Sequence, residues 1–293
     1  MGGVVIVTGA GRGIGRAHAR ALAEAGWSVV VNDLGVAADG SAPASGPADE
    51  VVTEIGAAGG QAVADHGDIS TEAGATALVA TALDRFGRLD AVVNNAGILR
   101  SGLILRTTVA DWRAVLEVHV LGTMLVTQAA ARHWRDLAKG DPARLPDARI
   151  VNTTSTAGLY GFVGEPAYSA AKAAIAGFTL TAAAELGRYG VKVNAIAPAA
   201  ATRLTAWAGD QLPRPELVSP IVIWLLSDFA ASVTGRIFEV GGGEIRLVEG
   251  WRAGRTIPHG AHADAATIDA LIGPELAMST APVPAFVPGE QEA

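Results

Sequence analysis

A glycine-rich segment near the start of the chain constrains the fold more than any other feature of the sequence. It follows an apolar run, Val-Val-Ile-Val at residues 4–7, and leads into a helical pattern at residues 13–25. The apolar run is typical of a buried parallel strand. Glycines after such a strand let the backbone turn tightly and approach a pyrophosphate, which the N-terminus of the next helix attracts. The segment therefore predicts a nucleotide-binding α/β unit. Its candidate nucleotide contacts are Gly9, Gly11, Arg12, Gly13, Ile14 and Gly15.

The alternation of strand and helix continues as far as about residue 250. Further strands are predicted by the apolar runs at residues 29–31, 91–93, 150–151, 191–196 and 237–240. A long helix is predicted at residues 111–137, and another carries Tyr168 and runs to about Leu186. This alternation predicts an α/β fold with a Rossmann-type, doubly wound parallel sheet.

Two stretches break the alternation. Residues 35–47 are rich in Gly, Ala, Ser and Pro and predict a surface loop. After residue 250 only residues 264–272 suggest a short helix, and several prolines follow them. We therefore expect a single domain at residues 1–250, with a C-terminal extension at residues 251–293.

Composition narrows the class of protein. The chain has 293 residues, half of them hydrophobic, and a formal net charge of −7, which argues against nucleic acid as a partner. It has no cysteine, which excludes disulfides and thiolate metal ligands. The longest apolar run within an element, residues 221–226, is far shorter than the ~20 residues that cross a bilayer. We expect a cytoplasmic protein with no signal peptide and no membrane span.

Tyr168 and Lys172 are four residues apart in a predicted helix, so they share one face. An unperturbed tyrosine has a pKa of ~10. An ammonium at about 4 Å, with an effective dielectric constant of about 20, contributes roughly 4 kcal/mol, which predicts a phenol pKa near neutrality. An isolated pair of this kind is more often two polar residues on a solvated helix face. Here Ser155 precedes the pair, and the three side chains together predict an acid–base site.

Asp33 follows the second predicted strand, where a carboxylate accepts hydrogen bonds from the hydroxyls of an adenosine ribose. A carboxylate there also repels a 2′-phosphate, so the sequence favours NAD over NADP. Arg12 favours NADP instead, because a cation in the glycine turn can pair with a phosphate. The alternative interpretation of Asp33 is a turn or cap residue.

With these motifs, the chain resembles the short-chain dehydrogenase/reductase family over about residues 4–250. The motifs that carry the resemblance are Thr8-Gly-x-x-x-Gly-x-Gly15, Asn94-Asn-Ala-Gly97, Ser155, Tyr168-x-x-x-Lys172 and Asn194-Ala-Ile-Ala-Pro198. The stretches similar to (3R)-hydroxyacyl-CoA dehydrogenases of the family are residues 29–35, 94–100, 118–122, 238–243 and 251–252. The resemblance implies an NAD-dependent oxidoreductase that acts on a secondary alcohol or ketone, with 3-hydroxyacyl-CoA as the best specific substrate.

The resemblance also implies a role for each site residue. Tyr168 is the general acid/base, Lys172 binds the nicotinamide ribose and lowers the tyrosine pKa, and Ser155 holds the reacting oxygen. The further cofactor contacts that it implies are Asp68, Ile69, Asn95, Ala96, Gly97, Pro198, Ala201 and Thr202. No metal is implied.

Two positions depart from the family pattern. His119 stands where the family usually has an asparagine that holds a water in a proton relay. Its helical spacing with Thr123 predicts that it faces inward, either in that relay or as a core histidine without a role. After Pro198, Arg203 stands where the family often has threonine, and Thr202 comes one residue early.

Other candidates have plain structural interpretations. His259 and His262 fit a loop better than a metal site. Small apolar residues at 170–184 predict a helix buried in the core and against another subunit, so we expect a homo-oligomer, a tetramer rather than a dimer. The arginines that could meet CoA phosphates, or could be solvated surface charges, are Arg100, Arg106, Arg203, Arg252 and Arg255.

Three further functions remain as alternatives to the hydroxyacyl-CoA dehydrogenase. Two are enzymes: a 3-oxoacyl-ACP or 3-oxoacyl-CoA reductase, and a steroid or xenobiotic alcohol dehydrogenase. The third is a non-catalytic nucleotide-binding protein. Such proteins usually lose the tyrosine or the lysine, and this chain has both Tyr168 and Lys172.

Overall fold

The computed structural model describes residues 2–35, 46–143, 145–201, 213–250, 255–258 and 264–278. The strands are β1 Val4–Thr8, β2 Ser28–Asn32, β3 Gln61–Asp65, β4 Ala91–Asn94, β5 Ala148–Thr153, β6 Val191–Ala199, β7 Ile237–Gly241 and β8 Glu244–Val248. The α-helices are α1 Gly13–Glu24, α2 Pro47–Ala57, α3 Glu72–Phe86, α4 Val109–Leu116, α5 Gly122–Gly140, α6 Thr156–Tyr160, α7 Pro166–Leu186, α8 Ser219–Leu225 and α9 Ala265–Met278.

The strands form one sheet in the order β3-β2-β1-β4-β5-β6-β7-β8. Strands β1 to β7 are parallel, and β8 pairs antiparallel with β7 at one edge. From the β1/β4 pair the strand order proceeds in opposite directions, and ligands of such sheets bind beyond the carboxyl ends at this point. The predicted α/β fold with a doubly wound parallel sheet is confirmed.

Alternate residues of the central strands pack on opposite faces of the sheet. In β1, Val5 and Val7 belong to the core on the side of α1, α2 and α8. Val4 and Ile6 belong to the core on the side of α3 and α5. Because both faces are covered by helices, each central strand needs apolar side chains throughout, and it reads as an unbroken β-branched run.

The segment Val109–Gly140 is helical throughout and includes the helix predicted at residues 111–137. A π-helical turn, Glu117–Leu121, interrupts it between α4 and α5 and was not predicted. By length and composition alone this segment could cross a membrane. In the structure its apolar side, including Leu125 and Trp134, is buried against the sheet. Packing in the core therefore accounts for its hydropathy.

Strands β3 and β8 were missed in the sequence. The two strands are the edges of the sheet, and neither has a fully buried residue. An edge strand that packs on one face only does not need the continuous apolar run by which the central strands were recognised. Exposure at the edges is thus the physical reason for the omission.

The chain divides into two compact units, and the division falls after Val248. In the second unit, the helix predicted at residues 264–272 is present as α9, Ala265–Met278. Arg255 pairs with Glu275 in the same unit at 2.9 Å. The domain boundary at residue 250 remains a prediction.

Candidate active site

A cavity of about 530 Å³ lies beyond the carboxyl ends of β1, β2, β4, β5 and β6. The predicted site residues that the structure describes all line this cavity except Gly11 and Ala201. Gly11 N donates to Asp33 Oδ2, and Ala201 N donates to the carbonyl oxygen of Pro213. Both backbones are therefore engaged in holding neighbouring loops.

The glycine turn brings backbone unusually close to backbone. A Cβ on Gly15 would lie 2.1 Å from the carbonyl oxygen of Gly9, so only glycine fits there. Asn95 Nδ2 donates to the carbonyl oxygens of Thr8 and Gly9, at 3.0 and 3.2 Å, and fixes the turn to the end of β4. Arg12, the N-cap of α1, cannot cap the first helical turn because a guanidinium only donates. This cradle at a helix N-terminus fits a dinucleotide pyrophosphate.

Two carboxylates line the same end of the cavity. Asp33 Oδ2 accepts from Gly11 N and Oδ1 from Gly35 N, both at 2.8 Å, so the carboxylate is held at the end of β2. Asp68 Oδ1 accepts from the N and Oγ of Ser70, at 2.9 and 2.7 Å. Each carboxylate has further lone pairs with which to accept from a ligand.

Tyr168, Lys172 and Ser155 meet at the other end of the cavity. Tyr168 and Lys172 are on α7, and Lys172 Nζ lies 5.5 Å from the centre of the tyrosine ring. The ammonium donates to the carbonyl oxygen of Thr153 at 2.6 Å, at the end of β5. Ser155 follows as the N-cap of α6, where its Oγ accepts from Ala157 N at 3.2 Å. The end of β5 thus positions two of the three groups.

The electrostatics of this group differ from the sequence-based expectation, and the prediction of a tyrosine pKa near neutrality is wrong for the protein alone. Burial and then the charge of Glu165 raise the pKa of Tyr168 to about 12, against a lowering by the Ser155 hydroxyl. Burial also lowers the pKa of Lys172 to about 7. The cost of desolvating both groups outweighs the attraction between them.

His119 lies in the π-helical turn and is fully buried beside the tyrosine. The two rings meet edge to face, with centroids 5.3 Å apart. Its Nε2 lies 2.8 Å from the carbonyl oxygen of Ile98, and a Cβ on Gly97 would lie 2.2 Å from its Cε1. Burial, and then the charge of Lys172, lower its pKa to about 3, so the ring is neutral near pH 7. Its Nδ1 has no hydrogen-bond partner in the part of the chain that the structure describes.

Sequence reasoning missed two features of this end. Glu165, three residues before Tyr168, also lines the cavity. Tyr160, the last residue of α6, donates to Glu239 of β7, which also accepts from Arg246 of β8 at 2.9 Å. This pairing holds the short helix that begins after Ser155. The position of Glu165, directly before the helix that carries Tyr168, was a signal that could have been used, whereas the contact of Tyr160 had none.

The other candidate arginines do not lie together at this cavity. Arg100 lines it, Arg106 is exposed, and Arg255 pairs with Glu275 in the second unit. The candidates that lie outside the described residues are Thr202, Arg203, Arg252, His259 and His262.

Comparisons with known proteins agree with this geometry. Residues 3–211 match the family model for short chain dehydrogenase. A hydroxyacyl-CoA dehydrogenase of Mycobacterium tuberculosis is 45% identical over 84% of this chain and 80% of its own length. The peroxisomal multifunctional enzyme type 2 of Mus musculus is 45% identical over 83% of this chain, which covers only 32% of that protein.

The crystal structure of a short chain dehydrogenase from Mycobacterium avium is also similar to this protein. It is 50% identical in sequence, with a TM-score of 0.86 over 97% of each chain. The predicted similarity to hydroxyacyl-CoA dehydrogenases is therefore confirmed at the level of sequence. The chain belongs to the short-chain dehydrogenase family, whose members are oxidoreductases that act on CH–OH groups with a nicotinamide cofactor, NAD or NADP.

Proposed function

We propose that the protein oxidises the secondary hydroxyl of 3-hydroxyacyl-CoA thioesters, with NAD as the hydride acceptor. The observation that carries the proposal is that Ser155, Tyr168 and Lys172 meet at one end of a cavity that the glycine turn closes at the other. The substrate class is supported by the relative named as a hydroxyacyl-CoA dehydrogenase.

In this proposal the Ser155 hydroxyl and Tyr168 hold the reacting oxygen, and Tyr168 takes its proton. The bound oxidised nicotinamide supplies a hydride acceptor, and its positive ring favours the ionised tyrosine. Lys172 is held in reach of the same space by its hydrogen bond to the carbonyl oxygen of Thr153. A buried tyrosine with a pKa of about 12 keeps its proton until these partners are assembled.

His119 takes part in moving that proton to solvent by holding a water. Support comes from its Nδ1, a buried nitrogen to which no other described residue is hydrogen-bonded, and from its ring contact with Tyr168. A neutral imidazole can accept a hydrogen bond from a water at one nitrogen while the other contacts Ile98.

The preference for NAD is assigned to Asp33. Its carboxylate is fixed at the end of β2 by Gly11 and Gly35, facing the cavity. In that position it accepts from ribose hydroxyls and repels a 2′-phosphate. Arg12 lines the same wall and is the observation that favours the second candidate function, reduction of 3-oxoacyl thioesters with NADPH. A preference for NADPH over NADH of more than tenfold in kcat/KM would favour this second function.

We further propose a homo-oligomer, with a tetramer as the expected form. One face of α7 is exposed although it is made of small and apolar residues. The exposed residues of α7 are Ala173, Ala174, Gly177, Leu180, Thr181, Ala184 and Glu185, of which only Glu185 is charged. A second copy of the chain would remove this face from water. Mass measurement in solution tests it, and a monomer at micromolar concentration would contradict it.

The experiment for the activity follows NADH absorbance with a (3R)-hydroxyacyl-CoA and NAD. Tyr168→Phe should lower kcat by about 10²–10⁴-fold, since it removes the phenolic oxygen that, once ionised, accepts the proton. Tyr189→Phe is the matched control, because Tyr189 packs against the core on the side of α3 and α5 and does not line the cavity. Full activity in Tyr168→Phe would contradict the mechanism, and no activity of the wild type on any hydroxyacyl-CoA would contradict the substrate.

A further inference from the structure

Glu165 is an acidic side chain in the wall of the cleft, immediately before α7. It is only 9% exposed, yet it lines the cavity on the side of Tyr168. Pro166 follows as the first residue of the helix, which restricts the backbone of the residue before it. The carboxyl group is therefore presented to the cavity by a constrained segment.

The carboxyl group of Glu165 has no donor among the residues that the structure describes. It occupies the N-cap position of α7 but makes no capping hydrogen bond to that helix. Neither a hydrogen bond nor an ion pair joins its carboxylate to any side chain in the described ranges. Burial raises its pKa to about 7, as expected for a carboxylate that has lost water without gaining a partner.

Buried carboxylates are normally paired, and an unpaired one is costly. A group of this kind in the core would be unstable, but Glu165 faces a cavity, where a ligand can supply the missing donor. Its charge also raises the pKa of Tyr168 and so opposes formation of the tyrosinate. A donor on the ligand would therefore offset two costs, the unpaired carboxylate and its repulsion of the base.

We propose that Glu165 determines specificity at the substrate end of the cleft, where its carboxylate accepts a hydrogen bond from a hydroxyl or amide N–H that the substrate carries near its reacting hydroxyl. The inference rests on the oxidation of an alcohol at Tyr168, as proposed above. It does not depend on the acyl thioester as the substrate.

Two matched pairs of alcohols separate the two sources of the donor. The first pair is 2,3-butanediol and 2-butanol, which differ in a neighbouring hydroxyl. The second is the 3-hydroxybutyryl thioester of N-acetylcysteamine and the corresponding S-butyl thioester, which differ in an amide N–H. A hydrogen bond to a buried carboxylate predicts that kcat/KM favours the donor-bearing member of at least one pair by roughly 10- to 100-fold.

Variants at Glu165 test whether this preference comes from its carboxylate. Glu165→Leu should bring the ratio within the pair to about one, and Glu165→Gln, which keeps a neutral acceptor, should leave a ratio of a few-fold. Glu185→Gln is the matched control, because Glu185 is an exposed glutamate on the same helix, and it should keep the wild-type ratio. NADH binding and thermal unfolding of each variant show whether its site is folded. If the leucine variant does not fold, the ratio measured with Glu165→Gln decides the test.

The outcomes separate this inference from the proposed function. A wild-type ratio near one in both pairs, or a ratio that Glu165→Leu and Glu165→Gln leave unchanged, overturns the role of Glu165. Selection within the diol pair without activity on any 3-hydroxyacyl thioester overturns the proposed substrate and leaves the role of Glu165 supported.

Discussion

The polar groups at the two ends of the cavity differ in whether they are hydrogen-bonded to the protein. At the glycine turn, Asp33 and Asn95 each make two hydrogen bonds to backbone groups of the turn or its neighbours. At the tyrosine end, neither His119 Nδ1 nor the Glu165 carboxylate is paired with another of the described residues. The first end is fixed before a ligand arrives, which suits a cofactor common to many reactions. The second end leaves these polar groups unpaired, and in the proposals above His119 holds a water while Glu165 accepts from the substrate.

Among the variants that test this comparison, the largest effect is expected at the glycine turn. Gly15→Ala places a Cβ 2.1 Å from a backbone oxygen, which cannot move without displacing the turn. Overpacking of this kind costs about 1–3 kcal/mol, so we expect the Kd for NADH to rise by roughly 10- to 100-fold in a fluorescence titration. Gly56→Ala is the control, since a Cβ on this exposed glycine of α2 meets none of the described atoms within 4 Å. It should leave the Kd unchanged and stabilise the protein by about 0.5–1 kcal/mol. Normal NADH binding by Gly15→Ala would show that the turn is not rigid.

The second variant introduces a steric clash at the end of the cavity that contains Tyr168. Gly97→Ala brings a Cβ to 2.2 Å from His119 Cε1, so the ring must shift from its contact with Tyr168. We expect a loss of about tenfold in kcat/KM and of about 1–2 kcal/mol in the free energy of unfolding, measured in urea. Adding His119→Ala should restore part of that stability. Strictly additive effects in this double-mutant cycle would contradict the contact.

The smallest effect is a dependence of stability on pH. His18 and His119 are both fully buried, and only His119 lines the cavity. Burial lowers the pKa of each to about 3. The unfolded chain therefore binds more protons than the folded one between pH 6.5 and 3, and stability falls as the pH falls through this range. Each histidine should contribute a loss of about 1 kcal/mol between pH 6.5 and 5.5. Urea unfolding of His18→Gln and His119→Asn should each show a smaller loss, and equal losses in wild type and variants would contradict the prediction.

The sequence was most informative where chemistry restricts the choice of residue. Gly15 must lack a side chain, and an acid–base pair must have Tyr168 and Lys172 on one helical face, so both could be recognised from spacing. The predicted nucleotide turn and the tyrosine end therefore meet in one cavity, as the fold required.

What the sequence could not predict depends on packing between distant segments. The close approach of Gly97 to His119 joins the segment after β4 to the π-helical turn, and neither feature has a signal in the sequence. The pKa of Tyr168 was predicted in the wrong direction because its burial, which only the structure reveals, outweighs the neighbouring ammonium. Glu165 was overlooked because an acidic residue before a helix is ordinarily a surface cap.

Strand β8 has a consequence for how the chain tolerates truncation. It covers the outer edge of β7, in which Ile237, Phe238 and Val240 are buried. A chain that lacked β8 would present β7 as a largely apolar edge strand with open backbone groups, a template on which other chains can pair. Loss of β8 would therefore first appear as self-association into insoluble material, even though none of its residues lines the cavity.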